Sequence, residues 1–408
     1  MQTDKAHQRT TTMTRLKAGF LKTDRMAFDE SEHCACGSAV RWRPHDGWSV
    51  ARWTGLMALC GGTFLLGPAR GAEVPSRAEP PAAGAQPPRA PSGPGSGLSP
   101  EQAQALEDKI KTNPEDTAAR TQLLDHYSRL QFRSAEARQA RQGHILWMID
   151  HHPESDVRGP SMSLDPRFDG AAYEEGKKLW LKQVQVHPEN LSILDHAANY
   201  LLLVDRDAAE ELWKKAESSE PANPRWPEKL AHLYNLSAIT RDGVDVTAAR
   251  KALIAMEKAR ATAKEGEFNY LDSLAKMAFD AGETEKARTY ANKLLEQATE
   301  HTGQWNYGNA IHDGNVILGR IALREGKVVE AKEYLLSAGK TPGSPQLNSF
   351  GPTMTLAREL ADKGEKETVL AYFKLCRAFW KMGGERLDAW TDALASGRTP
   401  DFGANSRR

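Results

Sequence analysis

The chain has 408 residues, 54 basic and 54 acidic side chains, and only 7% aromatics, ten of them Trp. A balanced charge gives no support to a nucleic-acid or anionic-membrane partner, which would favour a basic patch. Ala, Glu, Lys, Leu and Arg dominate from about residue 100 onward, and alternating β-branched runs are absent, so a substantial sheet is excluded and an all-α fold expected.

The N-terminal stretch reads as an address. Trp53 to Gly67 is apolar and uncharged, Arg41, Arg43 and Arg52 precede it, and Ala69-Arg70-Gly71 follows. A basic flank, a short apolar core and a small-residue exit are the parts of a secretory signal peptide. The run is shorter than the roughly 20 apolar residues of a spanning helix. Residues 1–72 are therefore expected to be a leader, exporting the protein to a periplasmic or secreted location. An uncleaved leader tethering the chain to the membrane is the alternative. Leu59 before Cys60 is a poor lipobox, and the apolar run continues past it. His33-Cys34-Ala35-Cys36 lacks the second pair of ligands that a zinc site needs. From Val74 to Pro100 there are eight prolines among Gly, Ala, Ser and Gln, a composition that favours extended disorder. Residues 73–100 are expected to be a linker, 101–396 the folded helical domain, and 397–408 a C-terminal tail. Outside the leader only Cys376 remains, so an internal disulfide is excluded.

The body repeats. An early helix pair spans Pro114 to Pro153, followed by an expected loop over residues 154–170. A unit from Pro188 carries Leu194, Ala197-Ala198, Leu201, Ala209, Trp213 and Ala216. The next begins Pro224-Arg225-Trp226, and the loop Thr240 to Asp245 displaces its second helix. Three further units share one spacing: Leu274 to Ala287, Leu318 to Ala331 and Leu356 to Val369 are each thirteen residues apart. Gly282, Gly326 and Gly364 fall at the turn inside these units, where a positive φ ends a helix at low cost. A second long loop is expected over Thr341 to Pro352.

These residues resemble the tetratricopeptide repeat (TPR) family over roughly residues 110 to 380. Positions 197, 230, 274, 318 and 356 are 33, 44, 44 and 38 residues apart, against a family period of about 34. The stretch 341–352 also resembles a block in bacterial repeat proteins, which implies no activity. The family resemblance implies a TPR-like α-solenoid of antiparallel helix pairs. It also implies a concave face lined by the first helix of each pair, at the positions two before and two after its Leu. Carried onto this chain these are Asp195 and Asn199, Glu228 and His232, Asp272 and Lys276, Val316 and Arg320, and Met354 and Arg358. Their charge runs from negative to positive along the chain, and the same charges also serve plain solubility; both readings stay open.

No phosphate-binding loop, dinucleotide fingerprint, nucleophile elbow or zinc-protease motif occurs. His151-His152 precedes Pro153 at a helix end, where a cation caps favourably. His196, His232 and His312 recur on the first helices of three units, as partly buried histidines or together in a groove. The expected function is a protein- or peptide-binding scaffold with no cofactor. The alternative is a hydrolytic or other enzyme with its site in the groove.

Overall fold

The computed structural model describes residues 97–155, 163–241 and 243–406. The leader, its apolar run, most of the linker and the first three cysteines lie outside them. Sixteen α-helices occur among the described residues. In chain order they are α1 Pro100–Thr112, α2 Thr117–Leu130, α3 Ala135–His151, α4 Pro166–Val186, α5 Leu191–Leu201, α6 Arg206–Ser219, α7 Arg225–Ala238 and α8 Val246–Thr262. There follow α9 Glu267–Asp280, α10 Thr284–Ala298, α11 Tyr307–Arg324, α12 Val328–Gly339, α13 Pro345–Phe350, α14 Thr355–Asp362, α15 Lys366–Phe379 and α16 Gly384–Ala395. One hairpin, β1 Ile239–Thr240 against β2 Gly243–Val244, occupies the expected loop between α7 and α8.

Local chemistry sets the helix starts. Ser99 and Gln102 form a reciprocal capping box ahead of Pro100. Asp165, Asn190, Asp205, Asp245 and Ser344 each accept from a backbone N–H of the first turn that follows. Two of these caps shorten loops expected from the sequence. Asp165 with Pro166 starts α4 inside the stretch 154–170, and Ser344 with Pro345 starts α13 inside 341–352. Pro and Ser there are helix-starting residues rather than loop residues, because Pro at the first helical position gives up no needed N–H.

The three glycine turns are alike. Gly282, Gly326 and Gly364 have φ of 76°, 78° and 88°. The next residue in each case donates its N–H back to the carbonyl five positions earlier: Glu283 to Ala278, Lys327 to Ala322, Glu365 to Leu360. The thirteen-residue pairs Leu274 and Ala287, Leu318 and Ala331, and Leu356 and Val369 are all buried.

Each helix from α1 to α11 packs against the next, as do α14, α15 and α16 in turn, and α9 with α11, α11 with α13 and α14, and α12 with α14 and α15 pack across units. The apolar interior runs without a break from Leu194 on α5 to Ile321 on α11 and includes Trp213 and Trp226. A second cluster joins α11 and α12 to α14, α15 and α16. At their junction α11 comes so close to its neighbours that a Cβ on Gly319 would overlap the Leu356 side chain and meet Tyr334 Cβ at 3.0 Å.

The segment 397–406, set apart above as a tail, lies against the body. Phe402 is buried against Phe373 and Trp390. Asn405 donates to the carbonyls of Phe350 and Pro352 at 3.0 Å each, and its own carbonyl accepts from Met354 N at 2.7 Å. No helix among the described residues is long and apolar enough to cross a membrane.

Candidate functional site

Polar side chains bridge the first helices of successive units. Lys229 on α7 reaches back to α5, 3.1 Å from Asn199 Oδ1 and 3.5 Å from Asp195. Lys276 on α9 meets Asp313 on α11 at 2.6 Å, and Arg320 on α11 meets Glu359 on α14 at 2.8 Å. These contacts connect α5 with α7, α9 with α11, and α11 with α14.

The eight charged and polar positions picked from the sequence meet different fates. Asp195 is buried and fully engaged: Trp213 Nε1 donates to it at 2.8 Å, and Arg225 and Lys229 pair with it. Burial alone raises its pKa, but Lys229, the indole N–H and Arg225 outweigh that and hold the carboxyl below the usual range. Asn199 is exposed and turns its amide onto Asp195. Glu228 and His232 are half-buried and lie 3.8 Å apart. Arg320 is mostly covered, with its guanidinium over Phe279, while Arg358 is exposed. The remaining two positions, Val316 and Met354, are buried in the core and do not line a face. Helix α11 is covered on nearly every side from residue 314 to 319, so the family register cannot keep Val316 at the surface.

Asp272 and Lys276 form the centre. They sit one turn apart on α9, bonded at 2.9 Å, and Lys276 also holds Asp313. Each keeps about a third of its side-chain surface open, 35% and 34%. Behind Asp313 the polar chain continues inward. His312, with no exposed surface, meets Asp313 Oδ1 at 2.6 Å through Nδ1 and Tyr372 on α15 at 2.9 Å through Nε2. An ionised carboxylate only accepts, so His312 donates its Nδ1–H to Asp313, while its Nε2 shares a hydrogen bond with the Tyr372 hydroxyl.

The two carboxyls differ in support. Asp313 has His312 on one oxygen and Lys276 on the other. Burial raises its pKa, but Lys276 and His312 pull it well below the usual range. Asp272 has Lys276 on Oδ2, while its Oδ1 is enclosed with no hydrogen-bond partner. Burial raises Asp272, Lys276 only partly opposes this, and Asp313 adds to it, leaving the net shift upward. Burial would lower Lys276, but the two carboxylates override it and keep the ammonium charged. Below Tyr372, burial pushes the Cys376 thiol up to about 12.

Sequence reasoning missed Asp313, Tyr372 and Glu359 as partners of the face. The available signal was His312-Asp313 on the first helix of the best-matched unit. The three recurring histidines do not come together. His196 bonds the Pro153 carbonyl at 2.9 Å, His232 faces Glu228, and His312 is sealed. His151 donates through Nδ1 to the Trp147 carbonyl at 3.0 Å, one turn back on α3. A separate cleft of about 200 Å³ lies between α6, α7 and α8, where Tyr234 donates to Glu210 at 2.8 Å. No group of three or more His, Cys, Asp or Glu is placed to hold a metal among the described residues. No protein-family model matches the chain, and no curated protein matches it significantly.

Proposed function

We propose that this chain is an exported binding scaffold, a TPR-like α-solenoid that holds a peptide or protein segment along the trough lined by α5, α7, α9, α11 and α14. The observation that carries this reading is the Asp272–Lys276–Asp313 cluster, which bridges α9 and α11 and stays partly open to solvent. It is flanked by half-open Glu228 and His232 on one side and by exposed Arg358 on the other. Alternating charges in a trough offer an extended segment several points of register without requiring a cofactor.

An enzyme working in the same trough is the second reading, favoured by the convergence of Asp272, Lys276, Asp313 and His312. Three features weigh against it. Lys276 is held charged and so lacks a free electron pair, Asp313 has both oxygens engaged by His312 and Lys276 and is a weak base, and His312 is closed to solvent. A nucleophile or base needs a reachable lone pair.

The test is selection of peptides from a random displayed library on the full chain, followed by affinity measurement on Glu228→Arg and Arg358→Glu. Both residues are off the core, so folding is retained. The scaffold reading expects at least about a tenfold loss for the selected peptides, equivalent to about 1.4 kcal/mol. Peptides that bind both variants unchanged, or no enrichment at all, would sink it. Hydrolytic turnover abolished by Asp272→Asn would instead establish the enzyme.

A further inference from the structure

We propose that Asp272, Lys276 and Asp313 form a proton-operated charge switch in the trough floor, with His312 and Tyr372 anchoring the Asp313 side. Two carboxylates share one ammonium, at 2.9 Å and 2.6 Å. With both ionised, the three charges sum to −1; with one protonated, they sum to zero. Their neighbours decide which carboxyl takes the proton. Asp313 has a partner on each oxygen, one of them a sealed imidazole whose far nitrogen is fixed by Tyr372. Asp272 has an enclosed oxygen with none. An enclosed oxygen without a donor costs more as part of a carboxylate than as part of a neutral acid. Asp272 therefore protonates first, and the ion pair that remains is Lys276 with Asp313.

The other groups around α9 leave this division intact. From α8 and α10, Arg260 and Lys293 are spent on Glu267 at the start of α9. From α7, Glu228 acts on Tyr270 and pairs with His232. From α15, Tyr372 and Cys376 lie behind His312, and burial drives both upward so that they stay neutral. The directions of the carboxyl shifts agree with the geometry, upward for Asp272 and well downward for Asp313.

The consequence for ligand binding rests on the scaffold reading: the trough floor becomes less negative as Asp272 takes up its proton. The consequence for stability does not rest on it. A carboxyl whose pKa is higher folded than unfolded binds more protons when folded, so its contribution to stability falls as pH rises from the ordinary carboxylate value through the raised one.

The experiment is a carbon-13 NMR titration of aspartate carboxyls in the full chain, for wild type, Asp272→Asn and Asp313→Asn. In wild type one aspartate should titrate above the ordinary range and one well below it. The high signal should vanish in Asp272→Asn. In Asp313→Asn, Lys276 belongs to Asp272 alone, and the high signal should move down. All wild-type aspartates titrating in the ordinary range would overturn the switch, as would a high signal that persists in Asp272→Asn or stays put in Asp313→Asn. A peptide from the selection above, measured on both sides of the transition, separates the two ideas. The titration without any selectable peptide upholds the switch and removes the scaffold. A selectable peptide without the titration does the reverse.

Discussion

Replacing Gly319 by Leu probes how the helical units support one another. Gly319 lies on α11, where an added Cβ would overlap the Leu356 side chain of α14, sit 3.0 Å from Tyr334 Cβ of α12 and 3.4 Å from the Ala331 carbonyl oxygen. Removing a helical glycine gains about 1 kcal/mol in propensity. Forcing a branched side chain into a filled gap costs up to about 3 kcal/mol, since Leu356 has no exposed surface and is held in the core. The net expectation is a loss of about 2 kcal/mol. That corresponds to a fall of roughly 4 °C in melting temperature for a domain of this size. Glu333→Ala, exposed on the same helix as Tyr334, should stay within about 0.5 kcal/mol. Hydrogen exchange then locates the damage. In a stack stabilised by nearest neighbours, protection should fall in α9 to α15 and hold in α1 to α5. Protection lost evenly along the chain, or a silent Gly319→Leu, would refute the solenoid reading and make the thirteen-residue spacings a coincidence.

Four further outcomes are expected. Asp195→Ala strands the Trp213 indole N–H and removes the carboxylate partner of Arg225 and Lys229; because Arg225 is 41% exposed and partly screened, the cost in denaturant unfolding should be about 2 kcal/mol rather than the full value of a buried pair. Since the Asp195 carboxyl is held below its ordinary value, its contribution is full above that value and fades as pH falls through the depressed one, so the wild type should lose its advantage over Asp195→Asn in acid melts. Gly282→Ala, Gly326→Ala and Gly364→Ala each place a Cβ in open space but at positive φ, so each should cost a similar amount, about 1 kcal/mol by chemical denaturation; unequal costs would mean the turns are not equivalent. Cys376, buried and pushed up to about 12, should resist a thiol reagent in the native protein and react on unfolding, and native reactivity would place it near the surface.

The helices and their turns were legible because they depend on neighbours in the chain. A glycine that must adopt φ near 80° terminates a helix wherever it occurs, so Gly282, Gly326 and Gly364 could be read as turns directly. Apolar residues thirteen apart across such a turn mark the inner sides of a helical hairpin, and the three pairs, Leu274–Ala287, Leu318–Ala331 and Leu356–Val369, are buried. Pro166 and Pro345 were misjudged as loop because the same residue that breaks a helix inside its run opens one at its first position. Sequence could also name Asp272 and Lys276, since a four-residue offset on one helix places them together without help from the fold. What only the tertiary structure decided is which face each position reaches and who its partner is. Val316 occupies a groove position by register, yet α11 is so deeply covered that it joins the core. Asp313 meets Lys276 from another helix, 37 residues further on, and His312 meets Tyr372 across 60. Those distances depend on how α9, α11 and α15 pack, a sum of many weak apolar contacts that no short motif records. Packing also separates the two carboxyls, leaving one with a donor on each oxygen and the other with an enclosed oxygen and none.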